Sequence, residues 1–80
     1  MLNKEEQEYG NNYINYCVIQ RGFQDLITFA FADDTGKRVI LKEYLTTIVK
    51  PITDNDLNVY EEKVTALTEE KTAIDIYINS

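Results

Sequence analysis

The chain has 80 residues, of which 44% are hydrophobic, 28% charged and 11% aromatic, within the ordinary globular range. A chain of this length buries only about 60% of the surface its unfolded form exposes, so it reads as one small domain, 1–80, with a thin core. Eight Lys and Arg against 14 Asp and Glu give a net charge of −6, which argues against a sequence-independent phosphate binder, and the lack of His and Trp, with a single Cys and a single Ser, removes most ligands and nucleophiles.

Residues 1–11 are polar and read as a flexible or short helical arm. Tyr13 to Ile19 is rich in β-formers and reads as a first strand, punctuated by Arg21-Gly22. Leu26 to Ala32 alternates, with Ile27, Phe29 and Phe31 on one face and Thr28, Ala30 and Ala32 on the other, the pattern of a half-buried strand. Asp33-Asp34-Thr35-Gly36-Lys37 reads as a turn, because Asp hydrogen-bonds the backbone that follows it and Gly36 accepts a positive φ without steric cost. Lys37 to Lys42 then returns as the second strand of a hairpin.

Beyond Glu43 two readings compete. Ile40, Leu41, Tyr44, Leu45, Ile48 and Val49 recur at helical spacing, whereas Thr46 to Val49 are all β-branched. We read 44–50 as extended and ended by Pro51, with a helix as the alternative. Thr53 followed by Asp56 resembles a helix cap, and Leu57, Tyr60, Val64 and Leu67 form one apolar stripe on a helix spanning 54–70. Thr72 to Asn79 alternates strictly, with Ile74, Ile76 and Ile78 inward, and reads as the last strand.

The order β-β-β-(β)-α-β predicts an α+β fold: an antiparallel sheet of four or five strands covered on one face by one helix. Its core draws on Ile14, Tyr16 and Val18, the Ile27 and Ile74 faces, Val39, Leu41 and the helix stripe. The other sheet face keeps Tyr13, Ile19, Leu26, Ile40 and Tyr77, with Cys17, which is more apolar surface than a small monomer exposes. Those five residues are the expected homodimer face.

Little in the chain carries chemistry. Cys17 has no His to activate it and reads as a packed hydrophobe. Asp33-Asp34, Glu61-Glu62 and Glu69-Glu70 are adjacent in sequence, so their carboxylates diverge instead of converging on one bond. Asp54-x-Asp56-x-Asn58 copies the start of a calcium loop, but Val59 stands where that loop needs Gly and Thr65 where it needs Glu. The three glycines are too far apart for a phosphate loop, and the aromatics read as core sooner than as a base-stacking platform. No enzyme activity, cofactor, metal or direct nucleic-acid contact is expected.

No secretory signal pattern follows Met1, and no apolar run approaches the roughly 20 residues that span a bilayer. With one unpaired Cys, a cytoplasmic location without membrane contact is expected. Charge is the remaining signal. Residues 1–50 carry seven acids against six bases, whereas 51–80 carry seven acids against only Lys63 and Lys71. Asp54, Glu61, Glu62 and Glu69 fall on or near the exposed side of the expected helix, an acidic face that reads as a solvated surface keeping the chain soluble or, more sharply, as a docking surface for a partner with a basic surface, its carboxylates standing in for nucleic-acid phosphates. In general character (tiny, acidic, rich in Asn, Tyr and Ile, without catalytic residues) the chain is similar to the small proteins that phages and mobile elements make against host enzymes. That similarity implies an inhibitor or regulator. The alternative is a small structural or assembly subunit that acts through its apolar face.

Overall fold

The computed structural model describes residues 1–60, 62 and 64–80. It is 88% helical, with no strand among the described residues, and this overturns the α+β expectation. Among the described residues five α-helical segments follow one another: α1 (Lys4–Tyr16), α2 (Phe23–Phe31), α3 (Asp34–Tyr44), α4 (Lys50–Val59) and α5 (Val64–Ile78). A wider π turn, Cys17–Arg21, extends α1, and a second, Leu45–Val49, joins α3 to α4. The chain divides into two compact units, Met1–Leu41 and Lys42–Ser80.

In the first unit, α1 begins with a reciprocal cap. Asn3 Oδ1 accepts the Glu6 N–H at 2.8 Å, and Glu6 Oε1 accepts the Asn3 N–H at 3.0 Å. The polar start is therefore a helix of defined length and not a loose arm. Glu6, Gly10, Tyr13 and Cys17 are the buried positions of α1 and its π turn. Their spacing of four, three and four residues puts them within one narrow stripe at 100° per residue. A Cβ at Gly10 would lie 3.3 Å from Phe29 Cζ, so the bare backbone lets the ring in close. Tyr13 tilts against the same ring, with centroids 5.0 Å apart.

The first strand expected over 13–19 is thus a helix end. Its terminator is Gly22, whose N–H donates to Cys17 O at 2.7 Å and whose φ of 108° only glycine adopts at low cost. The alternating segment 26–32 lies almost wholly in α2. Phe29 is buried, but Ile27 and Phe31 are exposed, since two residues along a helix is a rotation of about 200° and not a return to the same face. The expected hairpin turn uses the anticipated chemistry to start a helix instead. Asp33 Oδ1 accepts the Gly36 N–H at 2.7 Å, which caps α3. Gly36 has no positive φ.

In the second unit, 44–50 is helical, the alternative to the extended reading. Thr46 and Thr47 turn their hydroxyls to the carbonyls of Lys42 and Glu43 at 2.7 and 2.8 Å. That bonding absorbs the polar groups of two β-branched residues within a helix. Lys50 N–H bonds Leu45 O, five residues back. The widened turn immediately precedes Pro51, which has no N–H to give and whose ring crowds the preceding turn of a regular helix. The backbone therefore passes through the proline, and Thr53, the expected cap, is buried inside α4.

The helix expected over 54–70 is interrupted. Tyr60 leaves helical geometry at φ −110°, ψ 82°, and helix resumes at Val64. Of the expected stripe, Leu57 and Leu67 are half-buried, and Tyr60 and Val64 are exposed. The last expected strand is the C-terminal half of α5. Ile74 and Tyr77, three apart, are buried, and Ile76 is exposed. The α4 and α5 segments pack as an antiparallel pair with a register visible in their ion pairs. Lys50 meets Asp75 and Asp54 meets Lys71, each at 2.9 Å, so one turn forward on α4 matches one turn back on α5.

Candidate functional site

The acidic candidates separate once placed on the structure. Asp54 lies on α4 and is neutralised by Lys71, whose ammonium it holds above its ordinary pKa, through the hydrogen bond first and the charge second. Glu69 lies on α5, beyond the break at Tyr60, so the two do not share one helix face. Glu62 is exposed between the two helices, and Glu61 lies outside the described residues. Among the described residues Glu62 and Glu69 make no ion pair, and neither does exposed Glu70, which the sequence reading left off the face. The adjacent pair Glu69-Glu70 was the signal for it. Ion pairs to Lys50 and Lys71 thus take Asp75 and Asp54 out of the acidic half, and Glu62, Glu69 and Glu70 stay open to solvent.

The five residues expected to form an oligomer face are distributed differently from that expectation. Tyr13 and Tyr77 are buried, Leu26 and Ile40 are half-buried, and only Ile19 is exposed. Other exposed apolar side chains are spread along the chain, Val39, Ile52, Val59 and Ile76 among them. Phe23, Ile27 and Phe31 follow one another at four-residue spacing along α2, and Val18 and Ile19 precede them. That helical spacing was legible in the sequence, but the alternation of Ile27, Phe29 and Phe31 overlaid it.

The remaining reactive groups have structural partners. Cys17 is fully buried and forms no disulfide. Glu6 is buried too: its Oε2 accepts from Arg38 Nε at 2.9 Å and its Oε1 from the cap, while Arg38 Nη2 donates to Met1 O. This carboxylate ties the start of α1 to α3. Asp54, Asp56 and Asn58 sit on α4, where alternate residues point about 200° apart and cannot enclose one ion. Among the described residues no group of three or more acidic or thiol ligands could hold a metal, and no helix is long and apolar enough to cross a membrane.

Compared with protein-family models, curated proteins and solved structures, the chain matches none of them.

Proposed function

We propose that the chain is a non-enzymatic protein-binding domain, an inhibitor or regulator that presents carboxylates to a basic surface on its partner. The supporting observation is that Glu62, Glu69 and Glu70 are exposed and make no ion pair among the described residues, although the same half of the chain neutralises Asp54 and Asp75. Unpaired carboxylates on or beside a helix offer acceptors to Arg and Lys that would otherwise hold a phosphate backbone. Such a contact is steered by charge and is screened over about 10 Å at 0.1 M salt.

The test is retention of proteins from a bacterial lysate on the immobilised chain, at low and high salt, with duplex DNA as competitor. The reading expects a nucleic-acid-binding protein that is retained at low salt and displaced by DNA. It also expects that protein to be lost when Glu62, Glu69 and Glu70 are all changed to Lys, with the circular dichroism spectrum unchanged. Retention that is indifferent to the triple charge reversal would reject it.

A further inference from the structure

We propose that α2 is a self-association helix, with a second copy of this chain packing antiparallel along Phe23, Ile27 and Phe31. The observation behind it is a helix that is apolar on both sides. Toward its own unit α2 buries Phe29, which is 4% exposed; on the other side Phe23 is 73% exposed, Ile27 39% and Phe31 87%. Six of its nine residues, in FQDLITFAF, are apolar. Gln24, Asp25 and Thr28 form its polar edge, and the core of its own unit covers only the Phe29 side of the apolar arc, leaving Phe23, Ile27 and Phe31 uncovered.

A second copy is the occupant for two reasons. The first is geometry. Four-residue spacing places the three side chains along one slowly drifting line, about 12 Å from Phe23 to Phe31 at 1.5 Å per residue. The line is apolar at both ends with Ile27 at its centre. A two-fold axis through Ile27 therefore sets Phe23 of each copy against Phe31 of the other, the reciprocal pairing that a two-fold interface requires. Each phenylalanine supplies on the order of 150 Å² or more of apolar surface. With Ile27 between them the line offers on the order of 400 Å² per partner, about 800 Å² in all, the size of a weak, reversible contact.

The second reason is charge. Over 17–32 the charged residues are Arg21 and Asp25, and they pair with each other at 2.9 Å. Two copies of this acidic chain can thus meet on a locally neutral surface, without bringing like charges together. This inference stands apart from the acidic reading above, which concerns the other half of the chain.

Sedimentation equilibrium of the whole chain across a concentration series tests it. The expected result is a dimer whose dissociation constant rises at least about 100-fold in Phe31→Asp, the effect of losing the aromatic anchor that each copy sets against Phe23 of the other. Ile76→Asp, which charges another exposed apolar site, on α5, should leave the dimer unchanged. In addition, Ile27→Cys should form a disulfide-linked dimer under mild oxidation, while buried Cys17 stays reduced. A monomer at about 100 μM overturns the proposal. So does a dimer that survives Phe31→Asp, or one that is not cross-linked through Ile27→Cys.

Discussion

Arg38 reaches back 32 residues to Glu6, with Nε 2.9 Å from Oε2, and the carboxylate it meets is buried and also serves the cap of α1. Removing one partner of a buried pair costs more than the pair contributes, because the other charge is left desolvated. Arg38→Ala should therefore cost roughly 2–3 kcal/mol, because it leaves the buried Glu6 carboxylate without its cation, and Glu6→Ala roughly 2 kcal/mol, losing cap and ion pair but leaving a guanidinium that is partly in water. Urea unfolding of the two single variants and the double variant measures the coupling. Strictly additive losses would show that the pair is not an interaction of consequence.

Alkaline pH should find Tyr13. Burial, and then the neighbouring Cys17 thiol, push its phenol up to about 12 from an ordinary 10. The fold thus favours the protonated phenol. Below about pH 10 both folded and unfolded chains hold that proton, and the contribution is fully present. Between about pH 10 and 12 the unfolded chain releases it and the folded chain does not, so stability falls, by up to about 2 kcal/mol. Urea midpoints against pH, compared with Tyr13→Phe, isolate this contribution. A variant with the same alkaline slope as the parent would contradict it.

Gly22 should tolerate no side chain. A Cβ there would touch nothing within 4 Å, so the expected penalty is that of the backbone alone, at φ 108° and ψ 171°. Gly22→Ala should cost about 1–3 kcal/mol with the helix content of the folded state unchanged. A neutral substitution, read from thermal unfolding, would mean that the chain ends α1 some other way.

Pro51 should be replaceable at a gain. It is exposed, it sits within unbroken helical backbone, and the π turn before it makes room for its ring. Pro51→Ala restores an amide donor and relieves the crowding, and should stabilise the chain by about 1 kcal/mol or more. Loss of stability would show that the π turn depends on the proline.

Much of the punctuation was legible in the residues themselves. Arg21-Gly22 marked a true break, and Asp33 bonds the backbone ahead of it as its chemistry implies. Asn3 and Glu6, the cap of α1, were equally readable as Asn-x-x-Glu, but the polar composition around them concealed the signal. At the acidic candidate site, residue types and overall charge were readable. Which carboxylates are drawn into ion pairs was not, because Lys71 and Lys50 reach Asp54 and Asp75 only once α4 and α5 lie antiparallel.

Composition and charge, with no structure at all, determined that the chain is acidic, lacks histidine, has one thiol and concentrates its negative charge after Pro51. The choice between strand and helix was decided by tertiary packing. Ile74, Ile76 and Ile78 satisfy a period of two, yet Ile74 and Tyr77 satisfy a helix as well, and over so few residues both patterns fit. Propensity favours the strand by only a few tenths of a kcal/mol per β-branched residue, a margin that burial easily exceeds. Burying Ile74 and Tyr77 on one face of α5, and Tyr13 and Cys17 with Phe29 in the other unit, settles it as helix.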